Sequence, residues 1–153
     1  EYVLKVSSLT FNIHIFNKSK SNMPISFGLH PYFNISNFQN IKFIEYSKTC
    51  LNQKDNTLQN TNNLLHNLSQ GVDLLMHTSG ETSFHDIGFN RKITLIQPSP
   101  FDTCVIWSSP PRKMLCMEPW TSPRNALVSG IKKIDIPPCS KQKLSASIKI
   151  DIL

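Results

Sequence analysis

"LTFNIHIF", residues 9–16, alternates without a break: Leu9, Phe11, Ile13 and Ile15 fall on one side, and Thr10, Asn12 and His14 on the other. Successive side chains of an extended chain point to opposite faces, so a period of two marks a strand with one face in a core and the other toward solvent or a cleft. The stretch "NKSKSNMP" (17–24) ends the strand in a turn closed by a proline. The last ten residues, "LSASIKIDIL" (144–153), repeat the pattern, with Leu144, Ala146, Ile148, Ile150 and Ile152 set against polar partners. Between these two stretches lie further short β-rich runs: "IKFIEY" (41–46), "KITLI" (92–96), "TCVIW" (103–107) and "MLCM" (114–117). "QPSP", "SSPPRK" and "IPPCSK" punctuate them, and only "NTNNLLHNLSQG" (60–71) has room for a short helix. There is no repeat of fixed period. Many short strands with almost no helical periodicity predict an all-β sandwich or barrel.

At 153 residues the chain is long enough for one domain with a real core, and 1–153 is read as a single unit. Apolar content of 39% against 17% charged residues fits a globular chain and excludes a disordered one. The net charge of +6 raises nucleic acid as a partner. The cations, however, come as scattered pairs such as Arg112 and Lys113, without the basic, aromatic-interleaved face that nucleic-acid binding needs. The four cysteines show no C-x-x-C and no metal spacing with the five histidines, so no metal is expected. Cys104 and Cys116 sit in apolar text and read as small hydrophobes. With no signal peptide, lipidation motif or apolar run of 18 residues, the expectation is a cytoplasmic protein with no membrane partner. The chain begins at Glu1 rather than Met and is already alternating by Leu9, which reads as a piece of a longer protein.

Three acid–base candidates stand out. His30 lies in "PISFGLHPYFNI" (24–35), where Pro31 biases it toward extended backbone and Gly28 permits a bend or a close approach. It is either a structural ring in a turn or a positioned general acid. Glu118 ends an apolar run in "MLCMEPWTSPRNAL" (114–127), where alternation puts Met114, Cys116 and Glu118 on one side and Leu115 and Met117 on the other. It either points to water, or is partly buried with a pKa raised toward the range of a general base. Asp73, in "QGVDLLM" (70–76), is either a turn-capping residue or a second functional carboxylate.

Taken together, "MPISFGLHPYFNI", "GVDLLM" and "VIWSSPPRKMLCMEPWTSPRNAL" resemble motifs of the aldose 1-epimerase, or galactose mutarotase, family. They come in the same order and at similar separations, 43 residues from His30 to Asp73 and 45 more to Glu118. The likeness is nearest to its bacterial and cyanobacterial-type branch, written with "HPYF" and "EPWT". It implies an antiparallel β-supersandwich (galactose mutarotase-like), here incomplete at the N-terminus. It also implies an isomerase that interconverts α and β anomers of a hexose, free or 6-phosphorylated, without metal or cofactor. Carried over, Glu118 resembles the general base at the anomeric hydroxyl, and His30 the general acid at the ring oxygen. Asp73 resembles the carboxylate that holds sugar hydroxyls. Trp120 offers a ring to the apolar face of the sugar, Phe33 suits the core better, and Arg124 offers a contact to a hydroxyl or a phosphate. The late glycine-rich turn of the family is here "IPPCSKQKL", without its glycine. The rival expectation is a sugar-binding module, or an inactive fragment, on the same fold.

Overall fold

Alternating apolar residues need two faces to bury against, and the chain supplies them as two antiparallel six-stranded sheets. The computed structural model describes residues 1–153. In chain order the strands are β1 (Tyr2–Lys5), β2 (Ser8–Phe16), β3 (Met23–Ile25), β4 (Tyr32–Asn34) and β5 (Ile41–Glu45). Next come β6 (Thr49–Asn52) and β7 (Thr57–Asn60), the short helix α1 (Thr61–Leu65), β8 (Asp73–His77), β9 (Glu81–Asp86) and β10 (Arg91–Ile96). Then follow β11 (Thr103–Ser108), β12 (Met114–Trp120), α2 (Ala126–Ser129), β13 (Ile134–Ile136) and β14 (Lys141–Ile152).

One sheet runs β1-β2-β14-β10-β9-β5 and the other β4-β12-β11-β8-β6-β7, with β13 and β3 forming a separate ribbon. The two strands read most plainly from alternation, β2 and β14, pair with each other from Phe16–Lys141 to Ser8–Lys149. The main core lies between the sheets. Phe84 from β9 and Ile93 and Leu95 from β10 meet Leu74 and Met76 of β8, Ile106 of β11, and Leu115 and Met117 of β12. Face-to-face packing of this kind is a β-sandwich. Cys104 and Cys116 are buried as read, and Phe33 joins the core. The "NTNNLLHNLSQG" helix is real but only five residues long, capped by Asn60, whose side chain accepts from the N–H groups of Asn62 and Asn63. The short helix α2 was not foreseen.

The turn that lacks its glycine is solved another way. Cys139 takes φ +53° between β13 and β14, the left-handed backbone that glycine usually provides. No helix is long and apolar enough to cross a membrane.

Candidate active site

The geometry of the site begins with the alternation of residues 26–33. Phe27 and Leu29 pack against a second buried cluster of Phe101, Leu144 and Ala146, and Phe33 is in the main core. Ser26, Gly28 and His30 therefore turn the other way and line a cleft of about 480 Å³. That volume suits a small ligand.

This segment docks on the open edge of β12. Leu29 donates its N–H to the Pro119 carbonyl (3.1 Å), and Thr121 donates to the Phe27 carbonyl (2.9 Å). Gly28 faces Trp120 as an antiparallel bridge, and four residues on, β4 pairs Tyr32 with Cys116. Both pairings keep one register, which sets His30 opposite Glu118. Because Leu29 and Pro119 form the hydrogen-bonded pair, His30 and Glu118 form the closer, non-hydrogen-bonded type, whose side chains meet most directly. The prolines that follow both residues, Pro31 and Pro119, have no N–H to give the ladder. The regular pairing is interrupted at the site while its register survives.

His30 Nε2 lies 3.2 Å from Glu118 Oε1, and the His30 side chain is half exposed while that of Glu118 is 2% exposed. Burial pushes the Glu118 pKa up from 4.5 to about 7, the N–H of Trp120 pulls it down, and the charges of Asp73 and Arg124 act in opposite directions. Trp120 donates its ring N–H to Glu118 Oε2 at 3.0 Å. A carboxylate near half ionisation at neutral pH, touching an imidazole, can take a proton while its neighbour gives one.

The His30 ring stacks on Tyr32, with centroids 4.7 Å apart and planes 18° apart, and Trp107 meets both rings edge-on. Cross-strand pairing places Tyr32, Cys116, Trp107 and Asp73 in one row across four strands. Asp73 is thus two strands from β12 and does not line the cleft. Arg124 links it to the site: its Nη2 is 2.9 Å from Asp73 Oδ2, while Gln53 donates to Oδ1 at 2.7 Å. Four of the five expected residues, His30, Glu118, Trp120 and Arg124, line the cleft, and Asp73 stands behind Arg124. Asp73 opens β8 rather than capping a turn.

Sequence reasoning missed Trp107 and Gln53 as site residues. Trp107 could have been found by extending alternation across "TCVIW", whereas Gln53 lies in a turn with no pattern to mark it. Nor did spacing reveal that His30, Cys116 and Glu118 bring three ligand atoms within 4.8 Å of one another. Burial, and then the charge of Glu118, push the Cys116 thiol up to about 12. A cation held by this trio would have to displace protons from both the thiol and the carboxyl.

The family model for aldose 1-epimerases matches residues 1–144. Among solved structures, a protein of Synechocystis superposes with a TM-score of 0.94 at 28% identity, covering 99% of this chain and 53% of that one. A galactose mutarotase-like protein from Clostridium acetobutylicum superposes with a TM-score of 0.80 at 18% identity, covering 99% and 55%. A galactose mutarotase related enzyme from Lactobacillus acidophilus gives 0.74 at 18%, covering 98% and 59%. The last two likenesses show the fold. The present chain spans a little over half the length of these structures. No curated protein matches it.

Proposed function

This chain belongs to the aldose 1-epimerase family, and from that premise we propose that it interconverts the α and β anomers of a hexose by opening and reclosing the sugar ring. The observation that carries the reading is the cross-strand pair: a buried carboxyl with a pKa of about 7 in contact with a half-exposed imidazole. The two reacting oxygens of a pyranose, O1 and O5, are bonded to the same carbon, so one adjacent acid and base serve both. Glu118 as carboxylate takes the proton of the O1 hydroxyl. Protonated His30 gives its proton to O5 as the C1–O5 bond breaks and C1=O1 forms. Rotation about C1–C2 turns the other face of the aldehyde toward O5. His30 then takes the O5 proton as the ring closes, and Glu118 returns its proton to O1. No proton is gained or lost overall, and the pair ends as it began.

Trp120 and Tyr32 offer aromatic surface to the ring carbons, and Arg124, steadied by Asp73, offers donors to the hydroxyls. With its charge shared by Asp73, Arg124 makes a weak case for phosphate selection, and a free hexose is the simpler substrate. A binding module would gain nothing from a buried carboxyl beside an imidazole, which supports the isomerase reading over the non-catalytic one. In the proposal, residues 1–153 are the part of a mutarotase-like domain that carries acid and base, and activity is ascribed to the protein they belong to.

The test follows anomer exchange of α-glucose and α-galactose by polarimetry or exchange NMR. The expected result is exchange well above buffer, reduced about 10²–10⁴-fold in Glu118→Gln and in His30→Asn. Rates in both variants equal to that of the parent would remove the assigned roles. A parent no faster than buffer would remove the isomerase reading.

A further inference from the structure

We propose that Gly28 and Trp120 form a single positioning unit for the base. The side chain that Gly28 lacks leaves the place in which the Trp120 indole lies, and from there its N–H holds Glu118 facing His30. For its kinetic readout the proposal rests on the acid–base reading above; for its titration readout it does not.

Directly opposite residues in an antiparallel pair project to the same face. A residue with a side chain at position 28 would compete with Trp120 for the same volume. A Cβ built on Gly28 would sit 2.6 Å from Trp120 Cδ1, 3.0 Å from Nε1 and 3.1 Å from Cγ. Gly28 does not take positive φ, so the backbone makes no demand for glycine here. The space does.

The Trp120 main chain is fixed on both sides. It is paired to Thr103 on one side and Gly28 on the other, and its carbonyl accepts from Thr103 Oγ1 at 2.7 Å. The indole N–H is committed to Glu118 Oε2, leaving Oε1 for His30 Nε2. The carboxylate is thereby held at both oxygens, by a fixed donor on one and by its catalytic partner on the other. A hydrogen bond to the ionised form opposes the effect of burial, so its loss leaves burial opposed by the Arg124 charge alone.

The groups around Glu118 are His30 across the strand pair, Trp120 and Cys116 on its own strand, Cys104 on β11, Arg124 in the cleft, and Asp73 behind Arg124. Of these, Gly28→Ala competes with the indole for its volume, and Trp120→Phe removes the N–H and part of the ring while keeping an aromatic face.

The experiment uses the full chain labelled at the glutamate side-chain carboxyl carbon, and reads the titration of each glutamate by NMR. With four glutamates in the sequence, the Glu118 signal is assigned by its absence in Glu118→Gln. Gly28→Ala and Trp120→Phe are each expected to raise the Glu118 midpoint by about one pH unit, and the double variant to raise it no further. The acidic limb of the anomer-exchange pH profile is expected to move by the same amount. An unmoved midpoint in folded Trp120→Phe, or fully additive shifts in the double variant, overturns the proposal. If Gly28→Ala does not fold, Trp120→Phe decides alone. If the midpoint moves in a chain that never exchanges anomers, the positioning unit stands and the isomerase reading falls.

Discussion

Glu118→Gln is expected to stabilise the protein, and to do so only where a glutamate would normally be ionised. Glu118 is 1% exposed, and burial lifts its pKa from 4.5 to about 7. A carboxyl with a folded pKa above its unfolded value holds its proton more tightly in the folded state. Its effect is therefore neutral well below pH 4.5, and it removes stability progressively as the pH rises through the interval up to about 7. The whole interval corresponds to about 3 kcal/mol. Between pH 5 and pH 8 the wild type should lose about 2.5 kcal/mol through this one group. Glutamine has nearly the same shape, cannot ionise, and keeps an oxygen for the Trp120 N–H. Urea unfolding at the two pH values measures the difference. With the usual slope of roughly 1–3 kcal/mol per molar, the variant midpoint should exceed that of the wild type by about 1 M at pH 8 and by little at pH 5. Equal displacement at both pH values, or a less stable variant at pH 8, would show that burial does not hold this carboxyl near neutrality. The base assignment would then lose its physical ground.

Two further outcomes follow from the geometry. Asp73→Asn removes the charge that holds Arg124, whose side chain is 61% exposed; stability should change by less than about 1 kcal/mol, while KM for the sugar rises more than kcat falls in concentration-dependent exchange rates. A fall confined to kcat would take Asp73 out of substrate binding. Phe84 is fully buried between the rings of Phe33 (6.0 Å) and Phe43 (5.7 Å), so Phe84→Ala should cost about 3–5 kcal/mol in urea unfolding. A loss below about 1 kcal/mol would mean that the sheets close over the gap.

Period-two patterning made the strands legible because burial acts on every second residue. It put Leu115 and Met117 on one side and Cys116 and Glu118 on the other, and the structure makes the first of these the core side. It said nothing of which strands are neighbours, since alternation is local and the β2–β14 pairing is not. The site was legible by residue type and motif. Its central contact was not: His30 and Glu118 are 88 residues apart, and only a register shared by two separated pairings sets them face to face. Pro31 and Pro119 interrupt the ladder between the two segments there, although Glu118 stays paired with Val105 on its other side. The last turn forms without the glycine of the family because Cys139 adopts the backbone that the glycine would have taken, which no sequence pattern marks.

The docking of residues 27–34 along β12 also bears on how the chain folds and fails. β11 and β12 are joined by a short loop and β8 pairs with β11 across the β9–β10 hairpin, all within residues 73–120, whereas His30 must return from far upstream and β2 must find β14 across most of the chain. Loop closure delays distant pairings relative to near ones. Until the upstream segment docks, the outer edge of the base-bearing strand is a row of unsatisfied backbone groups beside an apolar face. Such an edge recruits strands from other molecules. The edge that receives the acid is thus also the place where crowded, newly made copies of this protein are most exposed to pairing with one another.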